Sequence, residues 1–204
     1  EGDLPDTAMS LDFTLDLTYM QAKKADSRTN ESTIITDLSG NGNDGIMYGG
    51  RINADGTVYL DGVDDFIDCG LYQYDYGSSV TYIAKVKFYN VEGEDKDILS
   101  NFENAGAGLY LKNSKIAFSI YNNTRGYVRY LTDITAELNK WYTLVGTYDG
   151  SKLKLYVDGE EVPVSGTSDT YEVSNTGNIV VAPAKVFIGA NPMEGRDSVI
   201  SMYR

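Results

Sequence analysis

Histidine is missing from all 204 residues, and cysteine occurs once, at Cys69. Without histidine there is no Ser-His-Asp or Cys-His arrangement to activate a nucleophile. The commonest zinc ligand is missing too, and one thiol does not replace it. A single cysteine also excludes an intrachain disulfide. An extracellular module of this size without disulfides points to a bacterial or phage source. Basic residues are scarce, 17 against 30 acidic ones, for a net charge of −13. Nucleic-acid binding rests on basic neutralisation of phosphates, so nucleic acid is not expected as a partner. Anionic membrane surfaces are disfavoured by the same sign. No apolar run approaches the roughly 18 residues that span a bilayer, and membrane insertion is not expected. Helical periodicity never lasts three turns; Asp133 to Asn139 suggests one short helical turn.

What is present fits many short strands. There are 21 Gly, often in Asp-Gly and Asn-Gly pairs, which supply tight turns. Tyr outnumbers Phe and Trp, 17 against 6 and 1, as suits sheets with one dry and one wet face. Met9 to Leu17 alternates and reads as a first strand, followed by a polar loop over residues 20–33. Short strands are predicted at Gly45 to Tyr48, Thr57 to Asp61 and Asp64 to Asp68. Val80 to Tyr89 is a longer one, with Val80, Tyr82, Ala84, Val86 and Phe88 on one face. A meander runs through Asp97 to Phe102, Gly108 to Leu111, Lys115 to Tyr121 and Tyr127 to Leu131. The clearest hairpin is Trp141 to Gly159, in which Tyr142, Leu144 and Tyr148 answer Leu153, Leu155 and Val157 across Asp149-Gly150. A second polar excursion covers residues 165–182, and Ala184 to Gly189 resumes strand character. The pattern predicts an all-β sandwich forming one domain over 1–204, with residues 1–8 as an extension.

Three segments carry a more specific signal: Asp37-Leu-Ser-Gly-Asn-Gly-Asn-Asp-Gly45, Val58-Tyr-Leu-Asp-Gly-Val-Asp-Asp-Phe-Ile-Asp68, and the hairpin opened by Trp141. In this order and spacing they resemble the laminin-G-like branch of the concanavalin A-like lectin/glucanase superfamily, from about residue 10 to the end. The resemblance implies a two-sheet antiparallel jelly-roll sandwich, with Trp141 in its core. That fold hosts both sugar binders and glucanases, so the residues themselves must separate the two. The chain starts at Glu1 and stops at Arg204, inside what looks like the family's closing strand. Both ends are expected of a piece of a larger protein.

Glycoside cleavage needs two carboxylates about 5–5.5 Å or 6.5–9.5 Å apart. The nearest segment, Glu92-Gly-Glu-Asp-Lys-Asp97, contains no Glu-x-Asp-x-Glu and reads as a solvated acidic loop. Catalysis is not expected. Calcium prefers six to eight oxygen donors at about 2.3–2.6 Å. Asp37, Asn41 and Asn43, with Asp61, Asp64 and the adjoining Asp65, are candidate donors for a structural ion, set against simple Asx turns. No cofactor is required.

Sugars bind through rings stacked on aromatic faces plus a few planar polar groups. Tyr72, Tyr74 and Tyr76 are spaced to share a face if the segment is extended. Tyr121, Tyr127 and Tyr130 surround Asn122 and Arg125, a loop rich in donors and acceptors. These two clusters are the candidate glycan sites, set against tyrosines that merely cover sheet faces. The expected role is carbohydrate recognition or cell-surface adhesion, by an extracellular or surface module working with the other domains of a parent protein. The alternatives are a structural or protein-contact module of a surface or virion protein and, distantly, a glycoside hydrolase.

Overall fold

The computed structural model describes residues 32–93, 95–102, 104–166, 176–192 and 199–202. Regular structure among them is entirely β. The first strands are short: β1 (Thr33–Ile35), β2 (Gly45–Tyr48), β3 (Arg51–Ile52), β4 (Val58–Tyr59) and β5 (Phe66–Asp68). Longer ones follow as β6 (Val80–Lys87), β7 (Lys96–Ser100), β8 (Ala107–Lys112), β9 (Lys115–Asn122) and β10 (Gly126–Thr135). The hairpin β11 (Trp141–Tyr148) and β12 (Leu153–Val157) precedes β13 (Glu160–Glu161), β14 (Phe187–Ile188), β15 (Ala190–Pro192) and β16 (Val199–Met202).

Two sheets form the body. One has eight strands in the order β1-β2-β5-β14-β7-β8-β9-β10, the other four in the order β13-β12-β11-β6. Pairing within them is antiparallel throughout. This is the two-sheet sandwich the sequence predicts, with β1 and β3 as strands the turn signals do not reveal.

Alternation along each strand decides which residues fill the space between the sheets. Leu109 and Leu111 of β8 and Ile116, Phe118 and Ile120 of β9 face Tyr82 and Val86 of β6, Leu144 and Tyr148 of β11, and Leu155 of β12. Each such fully buried side chain stabilises the fold by about 1.5–3 kcal/mol over its exposed state. The Phe118 ring sits where Gly146 leaves room: a Cβ there would lie 2.5 Å from the ring. A second cluster, with Ile35, Met47, Ile67, Cys69 and Val186, continues the core beneath β1, β2, β5 and β14.

Two expectations need correction. Asp133 to Asn139 does not make a helical turn: residues through Thr135 extend β10, and Leu138 bridges to Phe88. The β-branched Thr132, Ile134 and Thr135 favour the strand, and Ile134 packs on the core. Trp141 does not enter the core either. It is 40% exposed, because Tyr142 and Leu144 take the inward positions and odd-numbered neighbours must face out. The expected strand Met9 to Leu17 and the extension 1–8 lie outside the described residues.

Two measurements check this packing. Gly146→Ala drives a methyl into the Phe118 ring and costs about 1–3 kcal/mol of stability, read as a lower denaturant midpoint with an unchanged slope. Burial pushes the Cys69 thiol up to about 12. In the native protein it therefore resists a thiol reagent at pH 8, and labels fully once the chain is unfolded.

Candidate functional site

The β9–β10 hairpin supplies the most developed polar constellation. Its register sets Tyr121 opposite Tyr127 and Ser119 opposite Arg129. All four share the face turned away from the sandwich interior, since Phe118, Ile120, Val128 and Tyr130 occupy the core positions between them. Directly opposed side chains have Cβ atoms about 4.5–5.5 Å apart, so the two tyrosines are cross-strand neighbours, with the Tyr121 ring lying over Gly126. Both rings are half-buried.

Arg129, itself buried, backs this pair. Its Nε donates to the Tyr110 hydroxyl at 2.7 Å and its Nη2 donates to the Tyr127 hydroxyl. The guanidinium carbon lies 4.7 Å from the Tyr127 ring centre. Tyr110 also bonds the Ser119 hydroxyl at 2.8 Å. Burial, then the neighbouring Tyr127, raises the Tyr110 phenol well above its ordinary range, so it stays protonated beside the cation. Phe102 meets the Tyr127 ring edge-on at 4.9 Å. The result is a fixed positive group behind the Tyr127 ring, with Tyr121 opposite it in register.

At the hairpin tip Asn122 is only 1% exposed. Its Oδ1 accepts the backbone N–H groups of Thr124 at 3.2 Å and Arg125 at 2.9 Å. It therefore shapes the turn, while Arg125 stands exposed beyond it. Of the predicted cluster, the structure brings together Tyr121, Tyr127 and Arg125 and removes Asn122 and Tyr130 from the open face. Tyr130 is 5% exposed and its hydroxyl donates to the Val162 carbonyl at 2.6 Å. Sequence reasoning missed Arg129. A lone arginine in the apolar run Tyr127 to Leu131, two residues from Tyr127, was the available signal.

The other tyrosine cluster does not form a shared platform. A turn at 72–73, with Gln73 at φ 54°, breaks the extended chain that would align the three side chains. Tyr72 is 59% exposed. Tyr74 and Tyr76 instead start a chain of edge-on rings through Tyr82 to Phe118, with centroids 5.0, 6.0 and 6.0 Å apart. The Tyr76 and Tyr82 hydroxyls bond each other, and burial lifts both phenols well above their usual range.

The candidate calcium donors separate into two groups. Asp37 is buried and engaged within its own loop: it accepts the Ser39 N–H at 2.8 Å, the Ser39 hydroxyl at 2.8 Å and the Asn43 N–H at 2.9 Å. Its own N–H donates to Asp44 at 2.8 Å. Burial alone would push its carboxyl up, but the Ser39, Asn43 and Gly42 hydrogen bonds outweigh it and the net shift is downward. Asn41 is exposed and Asn43 half-buried on the same loop. Asp61 and Asp64 gather instead with Asp65, one carboxylate oxygen of each within 4.8 Å of the others. Two of these acids serve their own turn: Asp61 accepts the Val63 N–H at 2.7 Å, and Asp65 accepts the Asp61 N–H at 2.8 Å.

A family model described as the concanavalin A-like lectin/glucanases superfamily, of laminin G type, matches residues 61–199. The chain belongs to that superfamily. No curated protein matches it. Among solved structures it is similar to a Trypanosoma rangeli sialidase mutant displaying trans-sialidase activity, at 15% identity and a TM-score of 0.53, over 87% of this chain and 28% of that one. It is similar to a point mutant of HCR/D at 18% identity and 0.50, over 94% and 48%. A third likeness is the receptor binding domain of botulinum neurotoxin C/D mosaic serotype, at 21% identity and 0.47, over 78% and 44%. The chain thus spans less than half of each of these structures.

Glucanases of this superfamily are expected to set carboxylates at alternate positions along one strand. Here Glu92 sits on an exposed turn, its N–H donating to Asn90 at 2.8 Å. Asp95 pairs with Lys112 at 3.0 Å. Asp97 is buried, opposite Tyr110 in the β7–β8 register. Glu94 lies outside the described residues.

The Asp37 loop yields a pH test. A carboxyl depressed in the folded state adds stability that is fully present above its unfolded value near 3.8 and is lost as pH falls through the folded value. Asp37→Ala should lower stability by more than about 1 kcal/mol at neutral pH. The gap from wild type should close as the pH drops below the ordinary carboxylate range, measured by thermal melts across pH.

Proposed function

We propose that this domain is a non-catalytic carbohydrate-recognition module that attaches a larger extracellular or cell-surface protein to a glycan. The carrying observation is the opposed pair Tyr121 and Tyr127 on the outward face of the eight-stranded sheet, backed by Arg129 and bordered by Arg125. Half-exposed rings offer faces to the apolar side of a sugar. A guanidinium group is a planar, directed donor suited to sugar oxygens; on Arg129 the Nε and Nη2 donors are engaged by Tyr110 and Tyr127, which fixes the cation behind the Tyr127 ring. Anchoring Arg129 through Tyr110 fixes that geometry before a ligand arrives, which reduces the ordering cost of binding. The superfamily supports the reading by hosting sugar binders.

No carboxylate pair enters this reading, and the sugar is held without bond cleavage. Calcium is not a participant in recognition. A bound ion would be held structurally by Asp61, Asp64 and Asp65, since Asp37 is committed to its own loop.

A glycan-array screen of the folded domain, with and without calcium, tests the proposal. The expected outcome is selective binding to one glycan family. Tyr127→Ala should weaken that binding at least tenfold and Arg125→Ala less, with neither releasing reducing ends. A blank array from folded protein, or binding indifferent to Tyr127→Ala, would transfer the assignment to a protein-contact module.

A further inference from the structure

On the opposite side of the sandwich, the outward face of the four-stranded sheet carries a second assembly of rings and cations. Trp141 opens β11 and lies across from Lys87 at the end of β6. The Lys87 ammonium stands 4.9 Å from the Trp141 ring centre and 5.2 Å from that of Tyr89. Lys85, two residues earlier on the same face, reaches 6.0 Å from Trp141. The β3–β4 hairpin extends the row: the Tyr59 ring is 5.5 Å from Tyr89, and the Arg51 guanidinium lies 3.9 Å above Tyr59.

Exposure and charge set this strip apart. Trp141 and Tyr89 are 40% and 43% exposed, although burying such rings is worth kilocalories. Within a chain of net charge −13, the strip holds three cations. Among the described residues none of the three is in an ion pair. Nearby carboxylates are engaged by other groups: Asp55 is held low chiefly by Thr57 and only weakly by Lys87, and Asp158 accepts the N–H of Thr143, the residue opposite Lys85, at 2.8 Å. Lysines at the end of a sheet also discourage edge-to-edge pairing, but that role needs no exposed rings beneath them.

We propose that Arg51, Tyr59, Lys85, Lys87, Tyr89 and Trp141 form a second binding surface, for a polysaccharide bearing carboxylate or sulfate groups. Trp141 and Tyr89 would take sugar faces. Lys85 and Lys87, separated along the strand by about 6.6 Å, would take anionic groups on successive sugars. The overall negative charge disfavours a polyanion as dense as nucleic acid, with one charge per roughly 1.7 Å of duplex. An acidic polysaccharide spaces its charges more widely and meets the local strip without crossing the acidic surface around it. The surface is independent of Tyr121 and Tyr127, and stands or falls separately.

Affinity electrophoresis of the intact chain through gels holding polygalacturonate, κ-carrageenan, neutral dextran or no polymer tests it, with duplex DNA binding measured alongside. The expected result is retardation by polygalacturonate or κ-carrageenan, identifying carboxylate or sulfate, and none by dextran. The retardation should weaken as salt rises. Trp141→Ala and the double variant Lys85→Gln/Lys87→Gln should each lower affinity at least tenfold at unchanged melting temperature, and Tyr127→Ala should not. Absence of retardation in both acidic gels, or retention indifferent to these substitutions, would overturn the proposal. Equal affinity for duplex DNA would overturn it in favour of an unselective polyanion surface.

Discussion

The contact between Phe118 and the gap at Gly146 sets the distance at which the two sheets meet. Because that ring must point inward, the parity of β9 is fixed: Ile116 and Ile120 follow Phe118 into the core, and Ser119 and Tyr121 turn out. Hydrogen-bonded register passes the constraint to β10, and the inward position of Gly146 sets the parity of β11. β10 is forced to bury Val128 and Tyr130 and to present Tyr127 and Arg129, while β11 buries Tyr142 and Leu144 and presents Trp141. A one-residue slip anywhere in this seam would exchange the two faces of a strand. The candidate binding surfaces are therefore consequences of core packing.

The two outward faces that result are chemically distinct. On the large sheet a single cation is sunk among phenol hydroxyls, with aromatic rings beside it. Its geometry is held by short hydrogen bonds and suits a ligand read by direction and shape. On the small sheet Lys85 and Lys87 lie across the rings of Trp141 and Tyr89, the β3–β4 hairpin adds Arg51 over Tyr59, and among the described residues none of the three is in an ion pair. That arrangement suits a ligand read by charge, along its length.

Much of this was legible from residue order. Alternation is a local property, so Val80 to Phe88, Lys115 to Tyr121 and the Trp141 hairpin declare both their strands and their inward residues. The same rule already contained two corrections. Tyr127 and Tyr130 are an odd number of residues apart and cannot share a sheet face, and Trp141 is out of phase with Tyr142 only if one of them is outside. Other features depended on partners distant in the chain. Arg129 finds Tyr110 nineteen residues away across two strands, and the Trp141 strip borrows Tyr59 and Arg51 from a separate hairpin. Asp37 illustrates a different limit. Asx turns and calcium loops use the same residues, and only the hydrogen-bond directions show that Ser39 and Asn43 already occupy its carboxylate.

The proposed glycan site is the outward face of β9 and β10, where the sugar is held and left intact. NMR titration of the domain, with tyrosine rings and arginine side chains isotope-labelled, against an oligosaccharide identified by array is the direct measurement. Saturable shifts are expected at Tyr121, Tyr127 and Arg125, with the oligosaccharide recovered at full length. Shifts that spare all three residues, or a shortened oligosaccharide, would contradict it.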